Sequence, residues 1–215
     1  MNSTAARIGL CLHLAFCMSI CTGAANAQQL IDRVLARVGT TAVTMTDVRI
    51  ALGLDLVEAT GENPESVALE RTIDRQLQLN EVARFAPPEP AVAAVQAEIA
   101  EMKMRAGTNL SALMTSTGLD EARLEQLARE TLRIRAYIAQ RFGTTVQVTE
   151  DEARKYYEQH PAEFTRDGVR MTFEQAETQA RQRASAERLR ATLDQWVRDL
   201  RMRADVVIVG SANPG

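Results

Sequence analysis

Cysteine is nearly missing from this chain: the 215 residues hold three. All of them, Cys11, Cys17 and Cys21, fall in the first 27 positions. That stretch, MNSTAARIGLCLHLAFCMSICTGAANA, has one cation (Arg7), an apolar run from Ile8 to Ile20, and small residues ending in Ala25-Asn26-Ala27. The order is that of a secretory signal peptide with an A-x-A cleavage site, cut after Ala27. Cleavage leaves no cysteine, which excludes disulfides, thiolate nucleophiles and zinc–cysteine sites from the mature chain. It also removes His13, so that His160 is the only remaining histidine. A lone imidazole cannot supply the paired ligands of common metal sites, and no cofactor or metal is expected.

Long apolar runs are also scarce. The run at 8–20 is too short to span a bilayer and nothing later exceeds it, so no transmembrane segment is expected after cleavage. Lysine occurs only at Lys103 and Lys155. Without Arg7 the chain has 24 basic and 28 acidic residues, a net charge of −4. An exported, mildly acidic protein is a poor nucleic-acid binder. Aromatics are few, with one Trp and three Tyr. What remains is rich in Ala, Leu, Glu, Gln and Arg, a composition that favours helices.

The patterning supports that reading. LIDRVLARV and AVTM flank Gly39-Thr40-Thr41 as a β-hairpin, and Thr46 is placed to cap the helix that follows. In 65–86, Leu69, Ile73 and Leu77 recur every fourth residue, which predicts a central helix. Leu124, Leu127, Thr131, Ile134, Ile138 and Phe142 predict another, with Gly143 as a left-handed C-terminal cap. Capping boxes at Thr149 and Thr172 open two more. The second runs to Arg203 without Gly or Pro, and the β-branched run Ala204–Val209 then predicts a terminal strand. A strand needs a partner, and the only others lie near the N-terminus. The expected fold is therefore mainly α, with a small sheet formed by the N-terminal hairpin and the C-terminal strand, and a long C-terminal helix.

Together IDRVLARVGTTAVTMTDV, TIDRQLQLNEVARF, VTEDEARKYYEQHPAEF and DQWVRDLRMRADVVIV resemble the SurA-type periplasmic chaperones over nearly the whole mature chain. The resemblance implies a division into a signal peptide at 1–27, an N-terminal chaperone region at 28–148, a short helix and junction at 149–171, and a returning helix and strand at 172–215. Relatives carry a parvulin-type prolyl isomerase domain after the equivalent of HPAEF. Here only TRDGVRM separates that motif from Thr172. Seven residues are too few for a folded domain, so the isomerase domain is expected to be absent and the protein not to be an enzyme.

The resemblance implies a periplasmic, ATP-independent holdase that binds unfolded outer-membrane or envelope polypeptides. Residual prolyl isomerisation and a non-catalytic role in envelope assembly, with a homodimer among the arrangements, are the alternatives. No catalytic residue is assigned. His160, ahead of Pro161, reads as a helix-end cap, and Glu150, Asp151 and Glu152 read as an acidic first turn answering the helix dipole. Met102, Met104, Leu110, Leu113 and Met114 are read both as an adaptable peptide groove and as core filler. Tyr156 and Tyr157 are read both as a packing pair and as a peptide-contacting surface.

Overall fold

The computed structural model describes residues 32–209 apart from 86 and 145. The proposed signal peptide and its cleavage site lie outside the described residues. Strand β1 (Val34–Val38) turns through Gly39-Thr40 into β2 (Thr41–Thr44), and the chain enters α1 (Met45–Gly53) directly. The cap of α1 is Thr44 rather than Thr46. Thr44 Oγ1 accepts from the Asp47 amide at 3.2 Å, and the Asp47 carboxylate accepts from the Thr44 amide at 3.0 Å. The aspartate three residues on completes a reciprocal pair that Thr46 has no means of forming.

Four helices follow: α2 (Pro64–Phe85), α3 (Val92–Ala106), α4 (Leu110–Thr117) and α5 (Glu121–Phe142). Gly143 after α5 is right-handed, at φ −58° and ψ −32°. Glycine is required there for a different reason from the expected one, since an added Cβ would clash with the Ala139 carbonyl oxygen. Beyond it come α6 (Glu150–Gln159), a 3-10 turn at Pro161–Phe164, a hairpin of β3 (Thr165–Arg166) and β4 (Val169–Arg170), then α7 (Phe173–Arg203) and β5 (Val206–Ile208). No helix among the described residues is long and apolar enough to cross a membrane.

The strand order β2-β1-β5 is antiparallel throughout, with Arg37 opposite Val207. The expected sheet of N-terminal hairpin and C-terminal strand is thus present, and the described chain closes on itself. Sheet residues Ala36, Val38 and Val43 share one core with Ile73 and Leu77 of α2, Ile134 of α5, and Trp196 and Leu200 of α7. Each fully buried branched side chain in it contributes about 1.5–3 kcal/mol. A second core lies between α3 and α5 around Met102 and Leu124. A third joins α6 to the start of α7 around Phe164 and Phe173.

Helix α7 connects the first core to the third. Its 31 residues make a rod of roughly 46 Å. Phe173, Ala176 and Ala180 are buried at one end and Trp196 and Leu200 at the other, with no fully buried residue between them. An ionic clamp fixes the far end, where Arg201 donates to Asp74 at 2.5 Å and to Glu70 at 2.7 Å.

Candidate functional site

An aromatic cluster forms where α6 meets α7. The Thr149 capping box sets the register of α6, with the Glu152 carboxylate accepting from the Thr149 amide at 2.9 Å. Tyr156, Tyr157 and His160 then follow in its last turn. Pro161 has no amide hydrogen, and the residue before a proline disfavours the α conformation. The helix therefore ends at His160, at φ −122° and ψ 55°, whose amide closes onto the Tyr156 carbonyl. His160 is a helix-end residue, as expected.

Its ring has a second set of contacts. The imidazole stacks on Tyr156, with centroids 4.0 Å apart and planes at 18°. Nδ1 lies 2.9 Å from the Tyr156 carbonyl oxygen. A carbonyl can only accept, so Nδ1 carries a hydrogen and donates it. Nδ1 is thereby anchored, while Nε2 has no hydrogen-bond partner among the described residues.

The surrounding groups hold this pair in place. Tyr156 meets Phe164 edge-on at 6.2 Å and donates its hydroxyl to Glu163 at 3.1 Å. Burial and the neighbouring Glu163 carboxylate both push the Tyr156 phenol up. Tyr157 lies 5.1 Å from Phe164 and 5.7 Å from Phe173, and its hydroxyl donates to the Met171 carbonyl. Two guanidinium groups cover the cluster: Arg170 lies 4.3 Å from the Tyr157 ring centroid and Arg154 lies 3.9 Å from that of Phe173. The result is an aromatic cluster with Phe164 and Phe173 buried inside it and Tyr156 and Tyr157 half-buried at its surface, edged by an imidazole, a carboxylate and two cations.

The β3–β4 hairpin closes it. Asp167 and Gly168 both have positive φ, 50° and 79°. That is the requirement of a two-residue type I′ turn, for which Asp-Gly is a preferred pair. The hairpin carries Arg170 back over α6, where it also donates to the Tyr157 carbonyl at 3.0 Å.

The residues expected to line a peptide groove lie in separate places. Met102 is fully buried in the second core, while Met104, two positions on and across the helix, is 73% exposed. Leu110, Leu113 and Met114 pack partly buried against that core. Tyr156 and Tyr157 belong to the third core instead. Sequence reasoning passed over Phe164, Phe173, Arg154 and Arg170 as members of the aromatic cluster. The Asp-Gly pair was the available signal, since it predicts the fold-back that brings Arg170 over Tyr157.

A family model, the PPIC-type PPIASE domain, matches residues 148–208. No curated protein matches the chain. The match corrects two expectations. A sequence stretch related to the parvulin-type domain is present where its absence was expected, and the expectation of a non-enzyme falls with it. The error lay in counting only the seven residues between Phe164 and Thr172 as room for that domain. The matched stretch takes in α6 and the hairpin, expected to be only a junction, together with α7 and β5, expected to complete the chaperone module.

Proposed function

We propose that this protein is a folding factor of the peptidyl-prolyl isomerase class, acting on Xaa-Pro bonds in unfolded polypeptide through the surface around His160. The observation that supports it most is the PPIC-type match over residues 148–208, which contains every member of the aromatic cluster.

Prolyl isomerisation makes and breaks no covalent bond. The obstacle is rotation about a partly double C–N bond, with a barrier of about 18–20 kcal/mol. The uncatalysed reaction takes tens to hundreds of seconds. A catalyst must seat the pyrrolidine ring, exclude water from the amide and stabilise its twisted form more than its planar one. Tyr156, half-buried and backed by the fully buried Phe164, offers the apolar seat. The outward edge of His160 offers a polar contact to the rotating amide, with ring orientation set by the Tyr156 stack and the Nδ1 hydrogen bond.

Capture of unfolded envelope polypeptides without catalysis is a second reading. It is supported by a cleft of about 600 Å³ beside β5, lined by Val34, Leu35, Val48, Leu52, Leu69 and Ile208. Exposed apolar residues at the edge of a sheet suit an added extended chain.

The test compares the intact protein with His160→Ala and Tyr156→Ala in a prolyl-peptide isomerisation assay, alongside melting curves. The expected result is acceleration by the wild type and a loss of about tenfold or more in kcat/KM in each variant, a change of ~1.4 kcal/mol in the barrier. Acceleration that survives both substitutions would remove the site from around His160. No acceleration by the wild type would leave the capture reading.

A further inference from the structure

A large cleft lies away from the His160 cluster, along the far half of α7. It has a volume of about 960 Å³ and runs between α7, α2 and the segment after α1. One face of α7 lines it with Arg190, Leu193, Asp194, Val197, Arg198 and Arg201, spaced three and four residues apart. That spacing makes a single stripe along a helix, with apolar and cationic side chains interleaved. Leu56 and Val57 extend the apolar strip from the opposite wall.

The lining of this cleft is richer in cations than the chain as a whole. The whole sequence has a net charge of −3. The cleft is lined by six arginines, Arg71, Arg75, Arg135, Arg190, Arg198 and Arg201, against three carboxylates, Glu58, Asp74 and Asp194. Carboxylates in and behind the wall satisfy some of the cations: Arg75 faces Glu130 at 3.8 Å, Arg135 pairs with the buried Glu98, and Arg201 holds Glu70 and the lining Asp74. Arg190 and Arg198 are different. Both are exposed, and neither has a carboxylate partner among the described residues; Arg198 bonds the Gln195 side chain at 2.8 Å.

We infer that this cleft binds an extended polypeptide segment in which acidic residues alternate with apolar ones. Arg190 and Arg198 would engage its carboxylates, and Leu193, Val197, Leu56 and Val57 would cover its apolar side chains. The guanidinium fork pairs with a carboxylate through two parallel hydrogen bonds, which gives register as well as attraction. An apolar strip between the cations suits a peptide better than a phosphate backbone, and Asp74 and Asp194 oppose a polyanion that lacks apolar groups. The inference deepens the folding-factor reading by naming a client class. It rests on that reading for the client's being polypeptide, and on the charge and shape of the cleft for its chemistry.

The experiment measures binding directly, without catalysis, by fluorescence anisotropy of labelled peptides with the intact protein. A peptide alternating Glu and Leu is set against the Lys/Leu and Gln/Leu peptides and a single-stranded oligonucleotide. The Glu/Leu peptide should bind about tenfold or more tightly than the others, a difference of ~1.4 kcal/mol. Its affinity should fall as salt rises. Arg190→Glu with Arg198→Glu should weaken it by a similar factor while the melting curve stays unchanged, since both side chains are exposed and without ion pairs. Equal binding of the Gln/Leu or Lys/Leu peptide, or affinity unmoved by the double reversal, would overturn the inference. So would an oligonucleotide that displaces the Glu/Leu peptide. A prolyl isomerase assay on the same preparation separates the two ideas: activity without Glu/Leu binding sinks the cleft alone, and binding without activity sinks the isomerase alone.

Discussion

At the scale of single residues, position relative to a partner decides more than residue type. Asp74 is 8% exposed and depends on Arg201, 127 positions away along the chain. With Arg201→Met the nearest remaining cation is Arg71, at 3.6 Å. Leaving a buried carboxylate largely unpaired costs about 2 kcal/mol. Thermal melting of Arg201→Met should therefore fall by roughly 4–8 °C. Adding Asp74→Asn should recover part of the loss, because the orphaned charge is gone. An unchanged melt in Arg201→Met would show that the clamp contributes nothing. None of this pairing is visible in the sequence, where Arg201 is one of many arginines interleaved with acids. Met102 and Met104 make a similar point: two residues of one helix, alike in type, have opposite burial because about 200° of helical rotation separates them.

Local chemistry was the most legible part of each element. The capping boxes at Thr149 and Thr172 appear as read, because a threonine and the side chain three residues later form a self-contained pair. The Thr149 box also carries a pH dependence. The Arg188 guanidinium, together with the bonds from Thr149, holds the Glu152 carboxyl at about 2, well below its ordinary value. A depressed carboxyl stabilises the fold above its unfolded value and loses that contribution as pH falls through the folded one. The melting temperature of the wild type should exceed that of Glu152→Gln at pH 5, and the gap should close as pH approaches 2. A constant gap over that range would contradict the Arg188 contact. The β3–β4 hairpin was legible in the Asp-Gly pair of TRDGVRM, a stretch expected to be only a junction between two helices. Gly168→Val forces a β-branched residue to φ 79°, and should loosen the hairpin by about 1–2 kcal/mol. Amide hydrogen exchange would report it as faster exchange at Met171, whose amide donates to the Phe164 carbonyl at 2.9 Å.

On the scale of the whole molecule, the fold class and the meeting of N-terminal hairpin with C-terminal strand followed from a simple requirement, that a strand must find a partner. The order of helices followed from periodicity. The relation of residues 148–208 to a prolyl isomerase domain did not, because a helix–hairpin–helix segment was judged by the length of its bend rather than by the helices on either side. The same segment shares its long helix with the central core. Residues at its start build the aromatic cluster, while residues near its end fill the core and line the cationic cleft, so α7 belongs to both. The proposed activity of the whole molecule is acceleration of rotation about Xaa-Pro bonds. Exchange spectroscopy of a proline-containing peptide at equilibrium measures that rotation without a coupling enzyme. Catalytic amounts of the intact protein should raise the cis–trans exchange rate in proportion to their concentration, and His160→Ala should remove most of the increase; an exchange rate equal to that of the peptide alone at every protein concentration would contradict the proposed activity.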